Sequence, residues 1–293
     1  MAATLLAVVI ALVLGHLLPA LAARVRRFDG YRRALASAQA RAGDWAVVAL
    51  LVTPLLLAAA AQWGLRQLPL GWPALLLGIG VLYACWGPRD LDVDVDAVVQ
   101  APDAAARRTA AARLWPAGTP VQMEGPALAE AVFDSALRRW FAVLFWFCLL
   151  GPVGAVLYRL LAEAATPAAD AAAAPWQATL RHGQAVLEWP VVQVMALSLA
   201  VVGSLGSVAA AWREPGAFGL RSPLLAHAAR ASVRNEIDEE VADYTDAGIP
   251  AATALIEAFG ELPELRDAMR LVWRILLLWL TWLALFVVAG WVG

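Results

Sequence analysis

The chain has 293 residues, of which 62% are hydrophobic and only 16% are charged. A soluble domain of this size could not bury so much apolar surface, so the composition excludes an ordinary soluble protein and indicates several membrane crossings. The net charge of −2 offers no general attraction for nucleic acid, which is not expected as a partner. The two cysteines, Cys85 and Cys148, lie in apolar segments at a spacing that fits neither a disulfide framework nor a metal site.

Six apolar segments are candidate membrane-spanning helices, since about 20 apolar residues cross a hydrocarbon core of roughly 30 Å. In chain order they are residues 3–22, 45–63, 70–86, 140–161, 188–211 and 272–292. Tryptophans mark most of their ends, as is typical of side chains at the membrane surface. The third segment is short and contains Pro73, Gly78 and Gly80, so it either crosses fully or re-enters as a hairpin with the second. We therefore predict a single all-α, polytopic membrane domain.

The arginines alternate between the connections of these segments. From the N-terminal to the C-terminal tail, the seven tails and connections contain 0, 6, 1, 6, 1, 6 and 0 arginines. Because arginine-rich connections stay in the cytoplasm, we predict that the connections 23–44, 87–139 and 213–270 are cytoplasmic and that both termini and the connection 162–187 face outward. The first segment ends in small residues like a signal peptide, but its arginines follow it, which favours a retained helix.

An acidic run, DLDVDVD, opens the connection 87–139. Apolar residues at helical spacing predict an amphipathic helix with Asp90 as its N-cap, although alternation over about six residues also fits a strand. The aspartates then have three alternative roles. They are solvated side chains that stabilise the start of the helix, or an interaction surface, or a site for Mg²⁺ carried on a phosphate ligand. In the last case Asp90 and Asp94 lie on one helical face beside Arg89.

A second charged helix precedes the fourth apolar segment. Glu130, Asp134 and Arg138 lie one turn apart, so they form either a solvated face with ion pairs along the helix or an extension of the ligand site. In the connection 213–270, His227 has no partner at the spacing of metal ligands and is expected to be solvated. No metal site and no nucleophile–base pair is predicted, which disfavours an enzyme.

The fourth apolar segment is interrupted near its middle by Gly-Pro-Val-Gly, from Gly151 through Pro152 to Gly154. This pattern predicts either a kink at which glycines allow close packing or a broken helix that lines a site. Two ionisable side chains are expected at membrane depth. Arg159 is expected to extend toward the outer surface, and His16 is expected to be either a buried hydrogen-bonding group or a proton carrier.

Two stretches resemble the AmpE family of bacterial inner-membrane proteins. They are YACWGPRDLDVDVDAVVQA, residues 83–101, and ALRRWFAVLFWFCLLGPVGAVLYRLL, residues 136–161. The second has the Arg-Arg-Trp-Phe start, the Phe-Trp-Phe centre, the Gly-Pro and the closing Leu-Tyr-Arg. The resemblance implies a regulatory or signalling protein of the bacterial inner membrane, linked to β-lactamase induction and to antibiotic resistance, that binds a partner or a small ligand through cytoplasmic helices.

The AmpE family is similar in turn to the CobD/CbiB family, whose membrane proteins form adenosylcobinamide phosphate by attaching an aminopropanol unit to a corrinoid carboxylate. This chain keeps Gly151, Gly154, Leu157 and Tyr158 of the shared frame but lacks the Asn and the Asp-Gly of that family. A membrane enzyme that forms an amide with ATP or Mg²⁺ is therefore the alternative function. A small-molecule transporter is the second alternative. Membrane lipids are the expected partners, with a protein, a small ligand or a second copy of the chain as further candidates.

Overall fold

The computed structural model describes residues 2–26, 28–69, 71–87, 90–116, 119–166, 175–220, 222–246 and 262–290. Every regular element within these ranges is helical, so the all-α prediction is confirmed. The chain divides into two compact units. The first unit comprises Met1–Arg89, Arg138–Glu188 and Leu280–Gly293, and the second comprises Asp90–Leu137 and Trp189–Trp279.

The helices of the N-terminal part of the first unit are α1 (Ala2–Leu17), α2 (Pro19–Val25), α3 (Asp29–Ala42), α4 (Asp44–Arg66) and α5 (Trp72–Cys85). They are followed in this unit by α9 (Ala142–Leu150) and α10 (Pro152–Ala165). Leu35 of α3, Val47 of α4 and Ala164 of α10 pack together in a small apolar core. Only 6% of the apolar part of α4 is buried in the protein, so the remaining surface of that helix is suited to contact with lipid.

The helices of the second unit are α6 (Leu91–Val99), α7 (Ala104–Ala111), α8 (Gly125–Ala136), α12 (Leu205–Trp212) and α13 (Leu224–Asp246). Two long helices, α11 (Pro175–Val202) and α14 (Pro263–Val288), contribute to both units. A π-helical turn, Leu137–Phe141, leads from α8 into α9.

Among the described residues, three helices are long and apolar enough to cross a membrane, namely α4, α11 from Trp176 onward and α14. Two apolar helices, α1 and α5, are shorter. The other predicted spans are divided: 3–22 between α1 and α2, 140–161 at Gly151, and 188–211 between α11 and α12. These lengths and compositions are those of a helical membrane protein, as the sequence predicts.

The acidic run forms the predicted helix, α6, and Asp90 occupies its N-cap position without a side-chain capping hydrogen bond. Leu91, Val95 and Val98 are buried, as the helical spacing predicts. Asp94 is also completely buried. The prediction that this aspartate is solvated is therefore wrong, because α6 turns this carboxylate toward the interior together with its apolar residues.

Candidate functional site at the helical hairpin

The fourth predicted span is a broken helix. Gly151 has a φ of +72°, in the left-handed region that favours glycine, and it separates α9 from α10. Pro152 is the first residue of α10, where its missing N–H and its fixed φ suit a helix start. Of the two predicted alternatives, a kink and a break, the structure therefore has the break.

The polar backbone groups at this break are bound by a side chain from α4. The Nε2 of Gln62 donates to the carbonyl oxygen of Leu150 at 3.1 Å. The Oε1 of Gln62 accepts a hydrogen bond from the backbone N–H of Val153 at 3.1 Å. Helix ends leave such groups without partners inside the helix, and lipid supplies none. One amide side chain thus satisfies the end of α9 and the start of α10.

We expect Gln62→Leu to lower the free energy of unfolding by about 1–3 kcal/mol, because it leaves two backbone groups without partners. Thermal unfolding of the purified protein in lipid nanodiscs measures this loss. The matched control is Gln67→Leu, which changes an exposed glutamine at the end of the same helix and should shift stability by less than about 0.5 kcal/mol. Equal effects of the two substitutions would contradict the bridging role of Gln62.

The two helices approach each other closely beyond the break. A Cβ on Gly154 would lie 2.1 Å from the carbonyl oxygen of Trp146, so only glycine fits at this position. The indole Nε1 of Trp146 donates to the carbonyl oxygen of Leu187 in α11 at 3.1 Å. Gly151 and Gly154 therefore have different tasks, since the first turns the chain and the second lets α10 lie against α9.

A polar cluster shows that the chain reverses here. The Oε1 of Glu188 accepts a hydrogen bond from the Tyr158 hydroxyl at 2.9 Å and one from the Gln184 amide at 2.7 Å, and it lies 3.7 Å from the Nε of Arg138. A continuous helix would separate Arg138 and Tyr158 by about 30 Å. Their meeting at one carboxylate requires α9 and α10 to run antiparallel, as a helical hairpin. Residues 140–161 therefore do not form one continuous helix.

We refer to Arg138, Tyr158, Gln184 and Glu188 as the Glu188 cluster. Tyr158 is completely buried, and the Glu188 side chain is 14% exposed. The Arg138 side chain is 39% exposed, so it is more exposed than Tyr158 and Glu188. A carboxylate with two neutral donors and one cation is held in a fixed orientation, and hydrogen bonds to charged groups are among the strongest in proteins. This arrangement can present a guanidinium group to an anionic or polar ligand.

A second group of charges lies near the end of α10. The NH2 of Arg159 is 2.6 Å from Glu163 Oε1, and the Nε of Arg32 donates to Glu163 Oε2 at 2.7 Å. The Arg159 guanidinium also lies 5.2 Å from the centre of the Phe28 ring. The predicted extension of Arg159 to the outer surface is wrong, because both members of its ion pair are only 5% exposed. Burial, and then the charge of Glu163, raise the pKa of Tyr31 well above its usual range.

The same ion pair joins two connections for which opposite sides of the membrane are predicted. Arg32 belongs to the connection 23–44, predicted to be cytoplasmic, and Glu163 to the connection 162–187, predicted to face outward. An ion pair between them places both at one end of the first unit. The prediction from the arginine counts assumed that residues 140–161 are one helix that crosses the membrane once. The hairpin removes that assumption. His16 is exposed on the first unit, so the alternative of a buried hydrogen-bonding histidine is wrong.

The predicted ligand site is only partly assembled. Asp90, Asp94, Glu130 and Asp134 belong to the second unit, Arg138 belongs to the first, and Arg89 lies outside the described residues. Glu130 forms an ion pair with Arg230 of α13 at 2.6 Å, so its carboxylate links α8 to α13. Asp92, which the sequence did not single out, accepts a hydrogen bond from the Trp273 indole at 3.2 Å.

The second unit contains an open cleft of about 720 Å³ between α8, α13 and the start of α14. Its charged lining comprises Glu214, His227, Arg230, Arg234, Asp238 and Glu264. His227 Nδ1 contacts the Glu214 carboxylate, and the His227 side chain is 30% exposed, so the histidine is partly solvated and has a carboxylate partner. Cations and anions in this cleft pair with each other, which makes it less selective for one sign of charge than the Glu188 cluster. No group of three metal-binding side chains occurs among the described residues.

Sequence reasoning missed the residues that assemble the hairpin site, namely Gln62, Gln184 and Glu188. Glu188 had a usable signal, because an acidic residue at the edge of an apolar segment is costly and is often retained for function. The two glutamines had no such signal. Gln62 binds a partner 91 positions away and Gln184 binds one four positions away, and only the folded chain shows that these contacts form.

No protein-family model matches this chain, and no solved structure matches it. The cobalamin biosynthesis protein CobD of Chromobacterium violaceum is 35% identical to it over 121 residues. The match covers 39% of this chain and 37% of the relative, so the similarity concerns a part of each protein. It supports the relation to the CobD/CbiB family that the sequence motifs predicted. None of the comparisons bears on the resemblance to AmpE.

Proposed function

We propose that this chain is a membrane protein of the CobD/CbiB type that binds an anionic small molecule at the Glu188 cluster. The similarity to a CobD protein supports the type. The observation that carries the site is the meeting of Arg138, Tyr158 and Glu188 within a largely apolar unit. Charged groups in such surroundings are expensive and usually mark binding or transport sites. The bacterial inner membrane is the location that both family resemblances imply.

The chemistry of the cluster favours a phosphate or a carboxylate. A guanidinium group offers a planar fork of donors that matches either anion, and Glu188 holds the Arg138 side chain from one side. Any Mg²⁺ would then arrive with a phosphate ligand, because Mg²⁺ in such sites is usually held partly by phosphate oxygens. The alternative metal-phosphate site at Asp90 and Asp94 is less suitable, since Asp94 is completely buried.

The regulatory function implied by AmpE is our second candidate, and one observation favours binding without catalysis. The CobD/CbiB pattern has polar residues, an Asn and an Asp-Gly, in the region where this chain reads VFDSALRRWF. Val132 and Phe133 in this stretch are completely buried. The side chains of Val132 and Phe133 offer no hydrogen bond or proton transfer to an amide-forming reaction. A protein that keeps the frame and binds a ligand as a signal would have this composition.

Binding to the full chain in lipid nanodiscs tests the proposal. The probes are inorganic phosphate, Mg·ATP and a corrinoid carboxylate, measured by calorimetry after native mass spectrometry of the purified protein. We expect at least one anion to bind, with affinity reduced at least ten-fold in Arg138→Gln and several-fold in Tyr158→Phe. The matched control, Arg213→Gln, alters an exposed arginine of the second unit and should bind as the wild type does.

Each outcome separates the alternatives. Binding of the corrinoid carboxylate that depends on Arg138 favours the CobD/CbiB function, and binding of phosphate or Mg·ATP alone favours a phosphate-binding regulator. Absence of binding of every probe to the wild-type protein, or the same loss in Arg213→Gln as in Arg138→Gln, overturns the proposed site.

A further inference from the structure

The π-helical turn that carries Arg138 is contacted by a segment from another part of the first unit. This turn, Leu137–Phe141, brings the Arg138 side chain to Glu188. The backbone N–H of Gly87, two residues beyond the end of α5, donates to the carbonyl oxygen of Arg139 at 3.1 Å. Wide turns of this kind are rare, and they occur frequently at functional sites. The residue that follows Arg138 is therefore hydrogen-bonded to the segment after α5.

Gly87 is buried, and its contact with the turn leaves no room for a side chain. A Cβ on Gly87 would lie 2.5 Å from the Cβ of Arg139 and 3.2 Å from its Cα. These atoms belong to the backbone or are bonded directly to it, so they can move away only if the turn itself moves. Beside this contact, the ring of Trp86 stacks on that of Trp140 with the centroids 6.2 Å apart, and both tryptophans are buried. Trp86 and Gly87 thus contact two consecutive residues of the turn.

We propose that Gly87 is a positioning residue for the anion site, because it fixes the turn that directs Arg138 toward Glu188. This inference rests on the proposed function, in which Arg138 binds the anion. A π-helical turn holds about one residue more than an α-helical turn, and successive side chains of an α-helix are rotated by about 100°. A change of the turn toward ordinary α-helix would therefore rotate Arg138 relative to α9 and move its guanidinium group away from the carboxylate.

The ion pair of Arg138 and Glu188 is sensitive to such a movement. The Nε of Arg138 lies 3.7 Å from Glu188 Oε1, near the limit of about 4 Å for an ion pair. Tyr158 and Gln184, which donate to the same oxygen, belong to α10 and α11 and not to the turn. A displaced turn would therefore withdraw the cation and leave the carboxylate with its two neutral donors.

Nuclear magnetic resonance of the arginine-labelled full chain in lipid nanodiscs tests the position of Arg138 directly. The Arg138 side-chain signal is assigned by its loss in Arg138→Gln, and Glu188→Gln shows where the signal lies without the carboxylate. We expect Gly87→Ala to move the signal toward its position in Glu188→Gln, because the added Cβ displaces the turn. The matched control, Gly80→Ala in α5, adds a Cβ where nothing lies within 4 Å and should leave the signal unchanged.

Anion binding to the same variants gives the second readout, with inorganic phosphate, Mg·ATP and a corrinoid carboxylate as probes. We expect Gly87→Ala to weaken binding about five-fold or more, because a binding group displaced by about 1 Å no longer fits its ligand. If Gly87 acts through Arg138, the double variant of Gly87→Ala and Arg138→Gln should bind no more weakly than Arg138→Gln alone. Losses that add independently would overturn the positioning role of Gly87.

A milder substitution decides the matter if thermal unfolding shows that Gly87→Ala does not fold. Trp86→Leu removes the ring that stacks on Trp140 and should move the Arg138 signal in the same direction, whereas Trp72→Leu changes an exposed residue of α5 and should not. An unchanged Arg138 signal in folded Gly87→Ala, or in Trp86→Leu where Gly87→Ala does not fold, overturns the proposal. Absence of anion binding to the wild type removes the proposed function, whereas the Arg138 signal still decides whether Gly87 positions this side chain.

Discussion

Replacing Gly154 by alanine is expected to lower the free energy of unfolding by about 3 kcal/mol. The added Cβ would lie 2.1 Å from the Trp146 carbonyl oxygen, and a backbone atom inside a helix cannot move aside easily. Relief of the clash requires α10 to separate from α9, which would also disturb Tyr158 and the Glu188 cluster. Thermal unfolding in nanodiscs, together with anion binding, measures both effects.

The control for this substitution is Gly80→Ala in α5. Nothing lies within 4 Å of a Cβ at that position, and helical alanine is favoured over glycine by up to about 1 kcal/mol. We therefore expect Gly80→Ala to leave stability unchanged or to raise it. If both alanine variants behave alike, the close approach of α9 and α10 at Gly154 is not a constraint on the fold.

Glu163→Gln is expected to destabilise the first unit by about 3–5 kcal/mol. The substitution replaces the carboxylate that binds both Arg159 and Arg32 with a neutral amide. The buried Arg159 cation then loses the negative charge of Glu163. Asp238→Asn removes one member of an exposed ion pair with Arg234 and should cost less than about 1 kcal/mol. Chemical unfolding of the purified variants measures the difference.

A double substitution separates the ion pair from general damage to packing. Replacing Arg159 and Glu163 together by leucine removes both charges, so it should cost less than Glu163→Gln alone. The reverse order would mean that the shape of these side chains matters more than their charges.

Local patterns in the sequence predicted the helices well. The helical spacing of Leu91, Val95 and Val98 predicted α6, and Asp90 marked its start. Hydropathy alone was enough for the helical membrane class. These features depend on neighbours within one or two helical turns, which the sequence displays directly.

The candidate site was less predictable, because it depends on a reversal of the chain. A Gly-Pro-Val-Gly sequence is compatible with a kinked crossing and with a hairpin, and both have the same hydropathy. The break brings in Gln62, which lies in another helix and binds backbone groups on both sides of the break. The predicted pairing of Arg138 with its own helix was incomplete for the same reason, since Glu188 lies on α11.

The glutamine at the hairpin tip has a consequence for biogenesis. Gln62 precedes Leu150 and Val153 by about 90 positions, so a ribosome completes α4 well before the hairpin emerges. The Nε2 donor and the Oε1 acceptor of Gln62 are then in place before the hairpin is synthesised. A chain rearranged so that α4 is synthesised after the hairpin should insert poorly, since the tip would meet bare lipid first.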